Sequence, residues 1–253
     1  MSFNSKAYLD WLGEFNPLRR VHFSMGPSVC RVCGAWCSST LCQACLRHHL
    51  THVARCRLCA LPSDSEICLD CLKHAAVWQS CACAVTYQEP WRSLILDFKF
   101  HANAGLAKVF SEVILAHPMA AALLKQADFV VPVPVSKERL RQRGFNPAQL
   151  LAQGVAKDRC LNQALIKLKH TLPQSGLERV QRLRNLENSI AVNPLMATQL
   201  KHRHVVLIDD VMTTGSTLST CAKALQSSSV ARVSCVVLAR ADSISAAQSD
   251  SSA

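Results

Sequence analysis

Three short apolar runs in the second half of the chain predict buried β-strands. They read DFVVPVPV (128–135), HVVLIDDV (204–211) and RVSCVVLA (232–239), and helical stretches lie between them. Apolar runs of this length that alternate with helices are typical of parallel strands covered on both faces. We therefore expect an α/β fold in which helices flank a mostly parallel sheet. Ligands in such folds bind beyond the carboxyl ends of the strands.

Several cysteines follow the periodicity of core residues. Cys221 falls on the apolar stripe of a predicted helix over 218–225. Cys81, Cys83 and Cys235 alternate with apolar neighbours, as residues on one face of a strand do. We expect Cys221 to lie in the core. We interpret Cys81 and Cys83 as strand residues rather than as a fifth metal-binding pair, and Cys235 as a strand residue too.

Eight other cysteines form four C-x-x-C pairs in the first third of the chain. The initial segment MSFNSKAYLDWLGEF lacks the uninterrupted apolar core of a secretory signal, and no later stretch reaches the ~18 apolar residues of a membrane helix. We therefore expect a cytoplasmic protein without a membrane span. In a reducing compartment, cysteines paired at this spacing indicate metal binding rather than disulfides.

Two C-x-x-C pairs supply four thiolates, which complete the closed tetrahedral shell of a structural zinc ion. Eight residues separate the pairs in each half of the segment, which suggests an internal duplication with sequential pairing. Interleaved pairing of the first pair with the third is the alternative. Nearby His48, His49 and His52 offer substitute ligands, although four thiolates already suffice and a surface role is favoured. The predicted zinc ligands are Cys30, Cys33, Cys42, Cys45, Cys56, Cys59, Cys68 and Cys71.

The composition allows a large domain and a small one. The chain has 253 residues, of which 49% are hydrophobic and 18% are charged, so it can bury a sizeable core. We place a zinc-ribbon-like domain at 28–77 and the α/β domain at 78–241. Residues 1–27 are expected to be a leader, and residues 242–253 a disordered tail.

The charge of the chain favours anionic partners. The formal net charge is +11, and two zinc-tetrathiolate sites with a net charge of −2 each would leave about +7. Cations concentrate in three runs, at 136–146, 177–185 and 201–204. Solvated helix faces would explain any one of these runs. Three runs in a chain that also carries a phosphate-binding motif favour contact with a phosphate-bearing ligand.

Two adjacent carboxylates and a group of hydroxyls follow the second apolar run. Asp209 and Asp210 fall at the predicted end of that strand, where they either find cations or hydroxyls or face the ligand crevice, because a buried unpaired carboxylate is costly. Ser216 suits the N-cap of the following helix, which is a structural role for one hydroxyl. The whole loop also suits a phosphate, since it joins a flexible glycine to N–H and hydroxyl donors at a helix N-terminus. Its residues are Thr213, Thr214, Gly215, Ser216 and Thr217.

The stretch VVLIDDVMTTGST (205–217) resembles the phosphoribosyltransferase signature. In that signature the adjacent acids accept hydrogen bonds from the 2- and 3-hydroxyls of a ribose whose 5-phosphate lies in the loop. The resemblance implies a type I phosphoribosyltransferase-like domain that binds 5-phosphoribosyl 1-pyrophosphate (PRPP), or a related phosphoribosyl ligand, with magnesium. Asp209 and Asp210 would be its catalytic pair.

Further segments are similar to the ComF family (ComFC- and GntX-like proteins). They are RQRGFNPAQLLA (141–152), LPQSGLERVQRLRN (172–185) and the four C-x-x-C pairs, so the resemblance extends from about Cys30 to Arg240. Proteins of this family join an N-terminal zinc segment to a phosphoribosyltransferase-like domain. They are associated with DNA uptake in transformation or with the use of external DNA.

The family resemblance also implies roles for individual residues. The segment 131–135, with Val133 and Pro134, would face pyrophosphate, and Arg143 would belong to the basic element after it. Arg182 and Arg184 would lie on a mobile hood over the site. Lys99, in LILDFKF, matches the lysine of the family's Leu-Lys-Tyr or Leu-Lys-Phe motif.

The sequence leaves the choice between an enzyme and a binding module open. Ser189-Ile190 replaces a usual Ala-Phe, and SSS (227–229) replaces a turn that often contains glycine, so the acceptor side departs from the family pattern. One reading is a phosphoribosyltransferase; the other is a non-catalytic nucleotide- or DNA-binding adaptor. Single-stranded DNA and proteins of the DNA-uptake machinery are the expected macromolecular partners, and such proteins would hold the chain at the inner face of the membrane. With aromatic residues at 6%, DNA contacts would be mostly electrostatic.

Overall fold

The structure, a computed structural model, describes residues 28–51, 53–100, 103–167 and 190–242. The predicted leader (1–27), His52 and the tail beyond Asp242 lie outside the described residues. The segment that holds Arg182 and Arg184 lies outside them as well. The roles expected for these parts stay predictions.

Strands and helices alternate through the second half of the chain, as the apolar runs predict. The described strands are β1 (Ser28–Val29), β2 (Trp36–Cys37), β3 (Ser80–Thr86), β4 (Phe129–Pro132), β5 (Leu165–Lys167), β6 (Ile190–Val192), β7 (His204–Met212) and β8 (Arg232–Arg240). The described helices are α1 (Gln43–His49), α2 (Leu69–Lys73), α3 (Trp91–Phe100), α4 (Leu106–Ala116), α5 (Pro118–Gln126), α6 (Lys137–Arg143), α7 (Pro147–Val155), α8 (Pro194–Leu200) and α9 (Ser216–Ser227).

The main sheet has four strands in the order β3-β8-β7-β4, and each neighbouring pair is parallel. The prediction of a mostly parallel sheet is therefore confirmed. Strand β4 lies at an edge and ends at Pro132, a position where the missing N–H of proline removes no ladder bond from a central strand. Because β4 stops opposite Ile208, the last part of β7 has a neighbour only on the β8 side.

Both faces of the sheet are covered, and the strands alternate between two hydrophobic clusters. Val206 and Ile208 pack with α3 and α4 on one face. Val205 and Leu207 pack with α9 on the other. The predicted stripe of α9, which includes Cys221, is confirmed, since its members are all buried. Cys81, Cys83 and Cys235 lie on β3 and β8, as expected of strand residues, and are buried as well. Apolar contact on both sides explains why the strand sequences lack polar alternation.

The cysteine-rich segment packs on the α/β part rather than standing apart from it. Leu41 and Leu46 belong to the same buried cluster as Leu94 and Phe98 of α3. The backbone N–H of Cys81 on β3 donates to the carbonyl of Arg57 at 2.7 Å. The two segments on either side of the predicted boundary at residue 77 thus share a core.

Among the described residues, no single helix has the length and hydropathy needed to cross a membrane. Helices α4 and α5 reach that length and composition only as a pair, and they are bent by 93° at the break between them.

Candidate functional site

The two acids of the motif lie where β7 extends past its neighbour β4. The strand continues through Val211 and Met212, so Asp209 and Asp210 precede its end instead of forming its tip. The N–H of Val133 donates to the carbonyl of Ile208 at 2.9 Å, and the pairing of β7 with the β4 segment ends at this bond. The acids therefore sit beside the gap left by the end of β4, which is a ligand position typical of parallel sheets.

Asp210 forms an ion pair with Lys99, which sits near the end of α3. The Lys99 Nζ and Asp210 Oδ1 atoms are 3.1 Å apart, and their side chains are 16% and 10% exposed. Helix α3 is anchored for this contact because Phe98 packs edge-on against Phe110, with the ring centroids 5.4 Å apart. The sequence left open whether the acids find a cation or hydroxyl partner or face the ligand crevice. Asp210 has a cation partner.

Asp209 has a different environment, although it is the next residue. Its Oδ1 accepts a hydrogen bond from the backbone N–H of Asp210 at 2.9 Å. Burial raises the pKa of Asp209 to about 7, the charge of Asp210 adds to the rise, and the Lys99 ammonium opposes it. The pair thus joins a carboxylate neutralised by lysine to one that gains and loses its proton near neutral pH.

Arg143, at the end of α6, brings a second cation towards Asp210. Its guanidinium lies over the ring of Phe100, 4.8 Å from the ring centroid. Burial lowers the pKa of Arg143, and the charge of Asp210 acts in the opposite direction. The Arg143 Nε is buried and has no hydrogen-bond partner among the described residues. Because unsatisfied buried donors are uncommon, this atom suits a bound acceptor.

The hydroxyl loop forms an exposed turn at the N-terminus of α9. Gly215 has a φ of +77° and occupies the N-cap position, so Ser216 does not have the capping role that the sequence also allowed. Ser216 is instead the first helical residue, and its N–H donates to Thr214 Oγ1 at 3.3 Å. No side chain caps α9, and the residues that carry the four hydroxyls are exposed. These groups can therefore surround an anion.

Val133 and Pro134 frame the loop that leads into α6. The Val133 side chain is buried in the core, and its carbonyl accepts a hydrogen bond from Asn146 Nδ2 at 3.0 Å. Pro134 is partly exposed. The structure thus uses Val133 to fix the backbone, while Pro134 is the one of the two that has an accessible side chain.

The eight predicted zinc ligands form two separate clusters of four. One cluster holds Cys30, Cys33, Cys42 and Cys45, and the other holds Cys56, Cys59, Cys68 and Cys71. Within each cluster all ligand atoms lie within 4.8 Å of one another, so the pairing is sequential rather than interleaved. Each cluster could hold one zinc ion in a closed thiolate shell.

Backbone donors around the clusters also suit thiolates. Burial opposes ionisation of Cys30, but the N–H groups of Cys42, Cys33 and Val32 outweigh it and lower the pKa of Cys30 to about 6. The same balance lowers the pKa of Cys56 to about 7. His48 is exposed and contacts His49, with the ring centroids 4.7 Å apart, which fits the surface role expected for this pair.

The basic runs do not all lie near the acids. Run 136–146 forms α6 and approaches the site through Arg143. Run 201–204 ends at the first residue of β7, which is the opposite end of that strand from the acids. Its Arg203 pairs with Asp128 at 3.3 Å. Run 201–204 is therefore close to the phosphate-binding loop in the sequence but lies at the other end of β7 in the structure.

Two residues that the sequence did not single out contact the loop. Arg240 at the end of β8 donates to the carbonyls of Met212 and Thr213, and Trp78 lies against Gly215. A charged residue at the end of an otherwise apolar run was a usable signal for Arg240. Trp78 had no comparable signal, since its neighbour in space is 137 residues away along the chain.

Comparisons with known proteins found a domain model, several curated relatives and a solved structure. A model described as the phosphoribosyl transferase domain matches residues 140–251. Competence protein F of Haemophilus influenzae is 32% identical over 170 residues, which are 65% of this chain and 74% of the relative. DNA utilization protein YhgH of Escherichia coli K12 is 31% identical over 64% of this chain and 73% of the relative, and competence protein ComFC of Bacillus subtilis is 32% identical over 55% of each. A solved structure of an allosteric regulatory enzyme of purine biosynthesis aligns with a TM-score of 0.32 and 17% identity, over 54% of this chain and 25% of that one.

Proposed function

Because the chain belongs to the ComF family of competence and DNA-utilization proteins, we propose that it binds PRPP and serves DNA uptake or the use of external DNA. The observation that carries the proposal is the position of the acid pair beside the uncapped, hydroxyl-rich N-terminus of α9. Two cations, Lys99 and Arg143, approach the same acids from neighbouring helices.

Each part of the site has a role in this proposal. The loop 213–217 holds the 5-phosphate through its hydroxyls and through N–H groups at the N-terminus of α9. Asp209 and Asp210 accept hydrogen bonds from the ribose hydroxyls. Pro134 with the backbone of Val133, together with Arg143, lies on the pyrophosphate side. Arg182 and Arg184 would close over the ligand, and magnesium bound with PRPP would neutralise part of the pyrophosphate charge.

The proposal has an enzymatic version, in which the protein transfers ribose phosphate from PRPP, and a non-catalytic version. Ribose phosphate would pass to an acceptor while its bond to pyrophosphate breaks, through a transition state with positive charge on the ribose. Positioned acids and cations lower the barrier of such a reaction without a protein nucleophile. The non-catalytic version keeps the ligand site and uses the exposed cations of α6, such as Arg139 and Arg141, for DNA phosphates.

A pair of hydroxyl deletions on one helix tests the ligand site. Thr217→Ala removes a hydroxyl of the loop, whereas Ser227→Ala removes one at the far end of α9, where it only donates to the carbonyl of Lys223. Calorimetric titration with PRPP and Mg²⁺ should show up to about tenfold weaker binding for Thr217→Ala and no change for Ser227→Ala. Equal affinities in the wild type and both variants, or no binding by the wild type, would refute the proposal.

Pyrophosphate release separates the two versions. The protein would be incubated with PRPP, Mg²⁺ and a panel of nucleobases, and the pyrophosphate would be measured. Release above the rate without base supports the transferase and names the acceptor class. PRPP binding without release from any base supports the adaptor.

We also propose that each cysteine cluster binds one structural zinc ion. The closed sets of four thiols leave no position for a substrate, which is typical of structural sites. Elemental analysis of protein purified without chelator should find two zinc ions per chain. A content of one would restrict zinc to a single cluster, and a content near zero with oxidised cysteines would exclude zinc from both.

A further inference from the structure

We infer that the second cysteine cluster (Cys56, Cys59, Cys68 and Cys71) supports the phosphate loop 213–217, and that Arg240 and Trp78 are the positioning residues that connect them. The inference rests on the proposed function in one respect, since it gives the loop a phosphate to bind. The physical connection between cluster and loop is independent of that role.

Arg240 joins the cluster and the loop through one guanidinium group. The residue ends β8 and is only 6% exposed. Its Nε donates to the carbonyl of Cys59 at 2.9 Å, and its Nη1 donates to the carbonyl of Met212 at 3.1 Å and to that of Thr213. The planar guanidinium fixes the directions of its donors, so a shift of the Cys59 backbone is transmitted to the start of the loop.

These hydrogen bonds also set the direction of an amide in the loop. The C=O and N–H groups of a trans peptide point to opposite sides. Because the Thr213 carbonyl points to Arg240, the N–H of Thr214 in the same peptide unit points away from it. That N–H can donate only to an acceptor on the side opposite Arg240, so Arg240 helps to choose the face on which the loop receives an anion.

Trp78 makes a second connection between the same two segments. Its indole Nε1 donates to the carbonyl of Leu58, in the tight turn between Cys56 and Cys59, at 2.6 Å. The Cη2 atom of its ring lies 3.4 Å from the position that a Cβ added at Gly215 would occupy. The ring thus packs against the turn of the loop, while its nitrogen is hydrogen-bonded to the backbone of the second cluster.

The first cluster has contacts of a similar kind, but they lead to a different element. The indole Nε1 of Trp91 donates to the carbonyl of His49 at 3.1 Å, and Arg31 pairs with Asp97 at 2.9 Å. Both partners lie on α3. The two clusters therefore support different parts of the molecule, and each provides a control for the other.

The connection between the second cluster and the loop would depend on a bound metal ion. Four thiols in a closed shell are held in place by the ion that they share, and the turn that carries the Leu58 and Cys59 carbonyls is part of that shell. Loss of the ion would release both carbonyls and, through Arg240 and Trp78, loosen the loop. Since coupling between the binding free energies of two sites is reciprocal, a ligand in the loop should also raise the affinity of the second cluster for zinc.

Hydrogen exchange of the loop tests the inference without using activity. Full-length Cys68→Ser/Cys71→Ser and Cys42→Ser/Cys45→Ser proteins, which lose one cluster each, would be compared with the wild type for exchange of the amides of residues 213–217. We expect exchange at least about tenfold faster in the first variant and unchanged in the second. Equal rates in the wild type and the first variant, or equal acceleration in both variants, would overturn the inference.

Tryptophan variants give a second test that leaves all eight thiols in place, and it decides the matter if the cysteine variants do not fold. Trp78→Phe removes the hydrogen bond to Leu58, and Trp91→Phe removes the matching bond to His49. Both should retain two zinc ions, but only Trp78→Phe should speed loop exchange, by about three- to tenfold, and Trp78→Phe should weaken PRPP binding by a similar factor. If Trp78→Phe leaves loop exchange unchanged, the inference fails.

The two proposals can fail separately. A wild-type protein that binds no PRPP would refute the proposed function, while loop exchange would still show whether the cluster supports the loop. PRPP binding that is lost with the loop hydroxyls but unaffected by Trp78→Phe and by Arg240→Lys would refute the support and leave the proposed function standing.

Discussion

At the scale of single residues, Asp209 and Asp210 show how two identical neighbours acquire different chemistry. Their presence after an apolar run was visible in the sequence, and so was the hydroxyl-rich loop that follows them. Their difference was not, because it depends on Lys99, which is far away along the chain and reaches Asp210 from α3. Backbone geometry adds to it, since Asp209 is the residue that accepts the N–H of its neighbour.

The raised pKa of Asp209 makes a prediction about stability and pH. Its ordinary value is 3.8 and its value in the fold is about 7, so the charged form is disfavoured in the folded state and stability falls as pH rises between these values. Asp209→Asn removes this penalty. The free energy of unfolding should be nearly unchanged at pH 4 and higher by about 4 kcal/mol at pH 8.

Urea unfolding at both pH values measures this effect, with Asp64→Asn as the control because Asp64 is exposed. The same ionisation should strengthen PRPP binding between pH 6 and pH 8, since a charged carboxylate is the better acceptor for a ribose hydroxyl. A gain in stability that is equal at pH 4 and pH 8 would contradict the assignment of the pKa shift to Asp209.

The ion pair of Asp210 gives a second prediction at this scale. Lys99→Met would leave the mostly buried Asp210 carboxylate without its cation and should lower the free energy of unfolding by about 3–5 kcal/mol. Adding Asp210→Asn should recover most of the loss. The matched control is Arg203→Met, which breaks the exposed pair with Asp128 and should cost about 0–1 kcal/mol. Similar losses in both single variants would show that burial does not govern the Lys99 pair.

At the scale of elements, the strands and the helix of the site followed from the sequence, but their ends did not. The apolar pattern predicted β7, β8 and α9. It placed the acids at the tip of β7, whereas pairing of Val211 and Met212 with β8 extends the strand beyond them. The length of β7 depends on how far its neighbour β8 continues, and the local sequence does not report that length. The N-cap of α9 was also open in the sequence, because Ser216 and Gly215 both suit that position, and the left-handed turn selects glycine.

That turn predicts the effect of a single methyl group. Gly215→Ala would place a Cβ in a left-handed conformation, with φ of +77°, and 2.7 Å from the Cε of Met212. Gly144→Ala is the matched control, since Gly144 has a φ of +78° but has no atom within 4 Å of the added Cβ. We expect a loss of about 1 kcal/mol in unfolding free energy for Gly144→Ala and at least about 1 kcal/mol more for Gly215→Ala. Thermal or urea unfolding measures both, and equal losses would mean that the loop has room to adapt.

At the scale of the whole molecule, the sequence predicted the parallel sheet and the sets of cysteines, but not how they meet. Core periodicity and C-x-x-C spacing are local patterns, so they can be read from short windows. The packing of the cysteine-rich segment on α3 and β3 depends on contacts between residues far apart in the chain, such as Trp91 with His49. The division into two domains stays a prediction, and residues from both sides of the predicted boundary share one buried cluster.

The distribution of cations over the molecule predicts how single-stranded DNA would bind. If single-stranded DNA binds next to the proposed ligand site, its phosphates contact the exposed Arg139 and Arg141 of α6. Lys201, which lies at the opposite end of β7, does not contact the DNA. Replacing both arginines by alanine should reduce the slope of log affinity against log salt by about 1.4, and Lys201→Ala should leave it unchanged. Fluorescence anisotropy with a labelled oligonucleotide at several salt concentrations measures the slope. Wild-type binding that does not respond to salt would rule out phosphate contacts.

The hydrogen bond from Cys81 to Arg57 has a consequence for the behaviour of the protein in solution. Strand β3 is an edge of the main sheet, and unprotected edges recruit strands from other molecules. The carbonyl of Arg57, one residue after Cys56, occupies a donor on that edge. If the turn that follows Cys56 loosens when zinc is removed, the edge of β3 becomes available to another copy of the chain. Chelation should therefore cause self-association that increases with protein concentration, and mutations that weaken the second cluster should reduce soluble yield more than those that weaken the first.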